Sequence, residues 1–285
     1  METITAQNSL QILITNMFNA WNHGEILSLN AITSLMRKAG RIISVSCPYG
    51  IMDKQLLPKE VKYVGRESRK SWGIAYYKNV LTNIFYFIRE LRRCRVVLDV
   101  GGDTMSDADG IRYTFAHCLP LLLAYLFSKP VIILPQTIPP FKHKMTAWLA
   151  KVVLNRALLA FVREQQSCDY LGALRVRTNG VFFDPAFYGP PNQSHRKDVI
   201  GINCSRYIWT KSSAHYVHVF DVLNELHKEI VCIPHVLGDA ARSDYTLCMA
   251  LSRKYHTRIF VSDAERTRAF ISTLKVFVGE RYHSI

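Results

Sequence analysis

Acidic side chains are scarce in this sequence: 22 Asp and Glu stand against 36 Lys and Arg, a formal charge of +14. The imbalance favours anionic partners, among them phosphorylated metabolites, sugar nucleotides, lipid diphosphates, nucleic acid or an acidic membrane face. Several chemical signatures are missing as well. There is no GxSxG elbow, HExxH pair or P-loop, so hydrolase readings have little support, and the Gly-Gly pair does not extend to a GxGxxG fingerprint. No basic stripe with interleaved aromatics occurs. The "RESRK" run, Arg66 to Lys70, is short and isolated and reads as a solvated loop, so no specific nucleic-acid partner is expected.

The seven cysteines (47, 94, 118, 168, 204, 232 and 248) include no CxxC and mostly lie inside apolar runs. That is the pattern of reduced buried thiols, with no zinc site and a reducing, cytoplasmic compartment. No positive leader precedes the first apolar residues of "METITAQNSLQILI", so the start is not read as a secretory signal and the mature chain is expected to begin there. The apolar run from Cys118 to Gln136 approaches the length of a membrane span, but Lys129 and Pro130 divide it into a buried helix and a buried strand.

What is present is the composition of a folded protein: 49% hydrophobic and 20% charged residues in a chain of 285, long enough for two domains. Short β-branched runs alternate with helical patterns throughout, which predicts α/β architecture with parallel sheets. Strands are expected at 10–15, 41–46, 95–100, 131–135 and 158–162, with helices at 25–38, 76–93, 112–127 and 142–155 and a short one from Ser167. The Gly- and Pro-rich stretch from Tyr188 to Asp198 predicts a boundary, giving domains 1–190 and 191–285. Beyond it the pattern restarts, with strands at 199–204, 230–234, 258–262 and 276–279 and helices at 214–228, 244–255 and 264–274.

Doubly wound sheets hold ligands at the carboxyl ends of their strands, so polar residues there are the candidates. After one strand come Gly101, Gly102 and Asp103, with Asp107 and Asp109 beyond. Glycines let a backbone approach a ligand, and a carboxylate can orient sugar hydroxyls or act as a base, although such a turn also suits solvated acids. Gln136 and Thr137 end another strand. Arg163 ends a third, where it could hold a phosphate or carboxylate in a fork, or form a surface pair with Glu164. "DPAF" (184–187) reads as a structural Asp-Pro turn, and His235 follows a strand directly. Arg281 and His283, two apart on an extended segment, place a cation beside a proton donor.

In order, "NHGEILSLNAI", "VGGDTMSD", "LPQTIPPF", "VREQQS", "DPAF", "IGINCS", "PHVLG" with its later Asp, and "VGERYHS" resemble the polysaccharide pyruvyl transferase family across nearly the whole chain. The resemblance implies two Rossmann-like domains facing across a cleft, as in GT-B glycosyltransferases. It also implies transfer of the enolpyruvyl unit of phosphoenolpyruvate onto a sugar or lipid-linked saccharide as a pyruvate ketal. Phosphoenolpyruvate would be donor substrate, with no cofactor or metal. The family's Arg-x-His motif falls on His283 as candidate acid and Arg281 as donor clamp; Arg163 is a candidate second clamp and Asp103 a candidate for orienting or deprotonating a hydroxyl. Gly101, Gly102, Gln136, Asn22 and His235 fall on the other matching motifs as candidate substrate-binding residues. The acceptor side is then the first domain, the donor side the second, and attachment to the cytoplasmic membrane face is an open partner.

The chain departs from the family at Glu25, where Asp is usual, and at its end. Family members continue past Arg-x-His with a helix, a strand and a crossover, so the second domain reads as incomplete. Its last strand is expected to lack a neighbour, and its catalytic loop to lack support. A nucleotide-sugar glycosyltransferase and an inactive truncated homologue are the competing readings.

Overall fold

The structure is a computed structural model that describes residues 11–38, 42–46, 53–65, 74–108, 110–188, 196–210, 212–226, 228–238 and 243–279. It divides into two compact units, the first of Met1–Ala20 with Ser28–Tyr188 and the second of Trp21–Leu27 with Gly189–Ile285.

In the first unit six strands form a parallel sheet: β1 (Gln11–Thr15), β2 (Ile42–Val45), β3 (Val61–Tyr63), β4 (Val96–Asp99), β5 (Val131–Gln136) and β6 (Leu159–Val162). Their order, β3-β2-β1-β4-β5-β6, reverses direction at β1. Ile12 pairs with Val96 on one side of β1, and Gln11 with Ile42 on the other. The order is that of a doubly wound sheet, in which the crevice lies beyond the carboxyl ends of β1 and β4. β1 is buried from Ile12 to Thr15, as in a parallel sheet covered on both faces.

The helices of this unit are α1 (His23–Lys38), α2 (Ile74–Arg93), α3 (Ile111–Leu126), α4 (Lys144–Asn155) and α5 (Gln165–Ala173). α2, α3 and α4 send Phe87, Leu91, Leu121, Ala124, Ala150 and Val153 into one core with Leu13, Val97 and Ile133. Each fully buried leucine or isoleucine there contributes about 1.5–3 kcal/mol. The apolar run after Cys118 is helix to Leu126 and strand from Val131, as its Lys-Pro interruption predicts.

The second unit holds a four-stranded parallel sheet of β7 (Lys197–Ile202), β8 (Glu229–Cys232), β9 (Arg258–Ile259) and β10 (Leu274–Val278), in the order β10-β7-β8-β9. Its helices are α6 (Arg206–Trp209), α7 (Ser213–Glu225), α8 (Asp244–Tyr255) and α9 (Ala264–Ser272). Tyr216, Phe220, Leu247 and Leu251 cover one face of the sheet, and Val231, Ile233 and Leu274 lie on the other.

Two expectations change. β3 falls where no strand is expected, between 46 and 76, because three residues are too few to show a period; it pairs with β2 from Val61 to Tyr63. The last strand does have a neighbour: β10 runs parallel to β7, with Val278 opposite Ile202 and the Asn203 amide donating to the Val278 carbonyl at 2.9 Å. The six described cysteines are free; five are buried and Cys168 is half-buried.

Candidate functional site

At the carboxyl edge of the first sheet, the last residue of β4 is a fully buried carboxylate. Asp99 accepts from Asn16 Nδ2 at 2.8 Å and from Gln136 Nε2 at 3.0 Å, and its Oδ2 lies 3.0 Å from His117 Nε2. Burial alone would push its pKa up, but His117, Gln136 and Asn16 together hold it below the ordinary carboxylate range. An ionised carboxylate only accepts, so His117 carries hydrogen on Nε2. The other ring nitrogen lies 2.8 Å from Thr104 Oγ1, whose hydroxyl donates to the Gly101 carbonyl at 2.6 Å. A hydrogen-bonded chain thus runs from the sheet through His117 to the Gly-Gly turn.

The two glycines have different reasons. A Cβ on Gly101 would stand 2.0 Å from His117 Cε1 and 2.9 Å from Gln136 Oε1, so only glycine fits. Gly102 has φ +62 with open space where its Cβ would be, and the left-handed backbone is what selects it. Asp103 is exposed at the tip of the turn. The side-chain oxygens of Asn16 and Gln136 are buried and have no partner among the described residues.

Arg163 does not pair with Glu164. Its Nη1 meets Asp184 at 2.7 Å with both side chains buried, while Nη2 donates to the Gly102 carbonyl at 3.1 Å and to Thr137 Oγ1 at 2.8 Å. The fork therefore clasps the Gly102 turn to the "DPAF" segment, where Asp184 also accepts from Ser28 Oγ and caps the turn at Ala186. Lysine has one compact charge and cannot reproduce three directions at once. Arg163→Lys should lower stability by about 2 kcal/mol in urea unfolding; an unchanged midpoint would show that the clasp carries no weight. Asp107 is structural too: it accepts from the Lys142 and His143 amides and from Thr146 Oγ1, closing the start of α4.

In the second unit, two motifs far apart in sequence are stitched together. His23 N donates to the His235 carbonyl at 3.0 Å, Leu237 N donates to the Trp21 carbonyl at 3.1 Å, and Asn22 bridges Val236 antiparallel. Gly238 is required here, since a Cβ would meet the Trp21 ring at 2.6 Å. The Asn22 side chain accepts from the Gly24 amide and donates to Glu25, so it caps α1. His235 is buried after β8, with its ring 5.9 Å from that of His23 and 6.1 Å from that of Phe277. Asp244 fixes the loop by accepting from the Val236 and Arg206 amides.

His23 was not a sequence candidate, yet it is buried and its Nδ1 has no partner among the described residues. Desolvation lowers its pKa to about 4, against partial opposition from Asp263, the Ser262 backbone and Asp244. A histidine whose folded pKa is depressed contributes full stability above its unfolded value of 6.5, and that stability is lost as pH falls towards and below 4. The loss amounts to about 3 kcal/mol. Buried carboxylates such as Asp99 lose stability in the same direction, so the check is differential. Denaturant unfolding at neutral and acid pH should show a smaller acid loss in His23→Gln than in the parent chain, and equal losses would refute the assignment.

The structure thus brings Gly101, Gly102, Asp103, Gln136 and Arg163 together in the first unit, and Asn22 and His235 in the second. Arg281 and His283, with Asp109 and Asp239, lie outside the described residues. β10 ends one residue before Gly279, and the order of the second sheet reverses at β7, beside β10. Among the described residues, no group of three or more His, Cys, Asp or Glu could hold a metal ion.

Comparison with known proteins agrees with this architecture. Over 97% of this chain and 76% of its own, a protein described as a UDP-N-acetylglucosamine 2-epimerase from Listeria monocytogenes superposes with a TM-score of 0.59 at 14% identity. The UDP-GlcNAc 2-epimerase from Neisseria meningitidis, bound to UDP-GlcNAc, gives 0.62 at 13% identity over 96% of this chain and 78% of that one. A glycosyltransferase from Rickettsia africae gives 0.52 at 13% identity over 95% and 72%. At such identities the likeness is one of fold, and the fold is GT-B-like. No curated protein sequence matches the chain. The profile described as polysaccharide pyruvyl transferase matches residues 22–285, from the Asn22 cap of α1 through the Arg-x-His segment, and the chain belongs to that family.

Proposed function

We propose that the protein transfers a pyruvyl group from phosphoenolpyruvate to a pair of hydroxyls on a cell-surface polysaccharide or its lipid-linked precursor, forming a pyruvate ketal. The observation that carries this reading is the family match, which reaches from Asn22 through Arg281 and His283. The charge of +14 supports it, since the donor is an anion.

In this reading His283 adds a proton to the methylene carbon of the enol, and positive charge develops at the adjacent carbon. One acceptor hydroxyl adds there, the bond to the phosphate oxygen breaks, and the second hydroxyl closes the ketal. Of the two hydroxyl protons, one replaces the proton given by the acid and the other leaves with phosphate. Arg281 holds the donor's phosphate or carboxylate, where a charge-assisted fork strengthens as charge builds. Asp103 orients or deprotonates a hydroxyl. Arg163 acts through the turn it clasps, so its role is to position Gly102 and Asp103.

The test is calorimetric binding of phosphoenolpyruvate, followed by acceptor-dependent release of phosphate. Saturable binding with phosphate release supports the reading. Saturable UDP-sugar binding without phosphoenolpyruvate binding would replace it with nucleotide-sugar transfer, the ligand class named for the Neisseria structure.

A further inference from the structure

Three helices of the first unit form one layer. α3 packs against both α2 and α4, and all three turn their inner faces into the same core. Their outer face combines two features.

The first is exposed apolar surface. α2 presents Tyr77, Leu81 and Phe85, four residues apart and therefore in one row, at 67%, 66% and 63% exposure. α3 adds Phe115 and Leu126, and α4 adds Met145 and Trp148. An amphipathic helix ending at solvent carries polar residues at such positions, and a contiguous apolar outer face marks an interaction surface.

The second is charge of one sign. The sequences of α2, α3 and α4 contain a single acid, Glu90, and its side chain is buried against Ser44 and Lys62. The same helices carry Lys78, Arg89 and Arg92 on α2, Arg112 on α3, and Lys144 and Lys151 on α4. Trp148 lies one turn from both of the last two, so an aromatic is flanked by cations on one face. Arg89 and Arg112 lie over the rings of Tyr86 and Tyr113 at 5.0 and 5.2 Å, which keeps guanidinium heads beside apolar surface.

We propose that this face docks on an anionic lipid bilayer. Apolar side chains alone would suit a protein partner equally well; the absence of any exposed acid on the three helices, among many cations, selects a surface of uniform negative charge. Leucine, phenylalanine and tryptophan enter the headgroup and acyl boundary while lysine and arginine remain at the phosphate level. The inference requires nothing of the donor chemistry and stands or falls separately from it.

The experiment is co-sedimentation of the full chain with phosphatidylcholine vesicles, with and without phosphatidylglycerol, over a range of salt. Binding is expected only to the phosphatidylglycerol vesicles and should weaken as salt rises. Lys144→Gln and Lys151→Gln should each weaken it roughly fivefold. Leu81→Glu and Trp148→Glu, at exposed positions that leave the urea midpoint unchanged, should abolish it, whereas Val222→Glu on α7 should not alter it. Equal binding to both vesicles, no binding to either, or binding undiminished in the face variants would overturn the proposal. So would a dimer in lipid-free solution that Leu81→Glu and Trp148→Glu dissociate, since the face would then pair two copies of the chain.

Discussion

Asp99→Ala should lower the stability of the first unit by about 3–5 kcal/mol, the order expected when a buried carboxylate that receives several side-chain hydrogen bonds is removed. The carboxylate is fully buried and receives three side chains, so its loss strands hydrogen-bonding groups of His117, Gln136 and Asn16 where water cannot repair them. A domain of this kind is stable by about 5–15 kcal/mol in total, so the change is a large share of it. Asp99→Asn preserves the shape but turns one acceptor into a donor facing other donors, and should cost at least half as much. Urea unfolding followed by tryptophan fluorescence would show both shifts. An unchanged midpoint in Asp99→Ala would mean that the network beneath the Gly-Gly turn contributes nothing. The same variants should slow phosphate release even at concentrations of denaturant where they remain folded, because Thr104 and Gly101 lose the ring that positions them.

His283→Ala should lower acceptor-dependent phosphate release by about 10²–10⁴-fold, the usual contribution of a positioned general acid. Phosphoenolpyruvate binding should survive, since in the proposed mechanism the acid acts on the methylene carbon and not on the donor's charges. Arg281→Ala should show the complementary pattern, with donor affinity lowered by about one to two orders of magnitude, the worth of a charge-assisted hydrogen bond. Isothermal titration and a coupled phosphate assay on the same preparations separate the two. If His283→Ala loses donor binding while its catalytic constant is unchanged, the assignment of acid and clamp is reversed.

Much of the fold was legible because buried parallel strands leave β-branched runs such as "LQILIT" and "RVVLDV", and helices leave longer periodic ones. β3 and α6 were not, being three and four residues long, below the length at which a period can be told from chance. In the site, Gly101 and Gly102 were visible as a turn, but Asp99 was hidden as the last residue of a strand and His117 as one polar residue in the apolar helix "FAHCLPLLL". Their meeting depends on β1 lying next to β4, which no local pattern reveals. Arg163 is visible as a polar residue at a strand end; that it pairs with Asp184, inside the Asp-Pro turn, follows from the return of the chain beyond α5. No local pattern marks His23, because the segment that packs against it, His235 to Leu237, is more than two hundred residues away.

That last stitch constrains the order in which the protein can be assembled. The second unit joins Trp21–Leu27 to residues that are synthesised long after it, from Gly189 onward. Closing such a loop through an unfolded chain costs about 5 kcal/mol of entropy. The hydrogen bond between Ser28 and Asp184, 3.0 Å and within the first unit, brings the two exits of the chain from that unit side by side. Once the first unit has folded, the effective loop shrinks to the short segments on either side, and the strip of residues 21–27 waits, already tethered, for the strands of the second unit to emerge. Residues 189–285 expressed alone would lack that strip. Their refolding should depend on a peptide covering 21–27 at concentrations that tethering otherwise supplies.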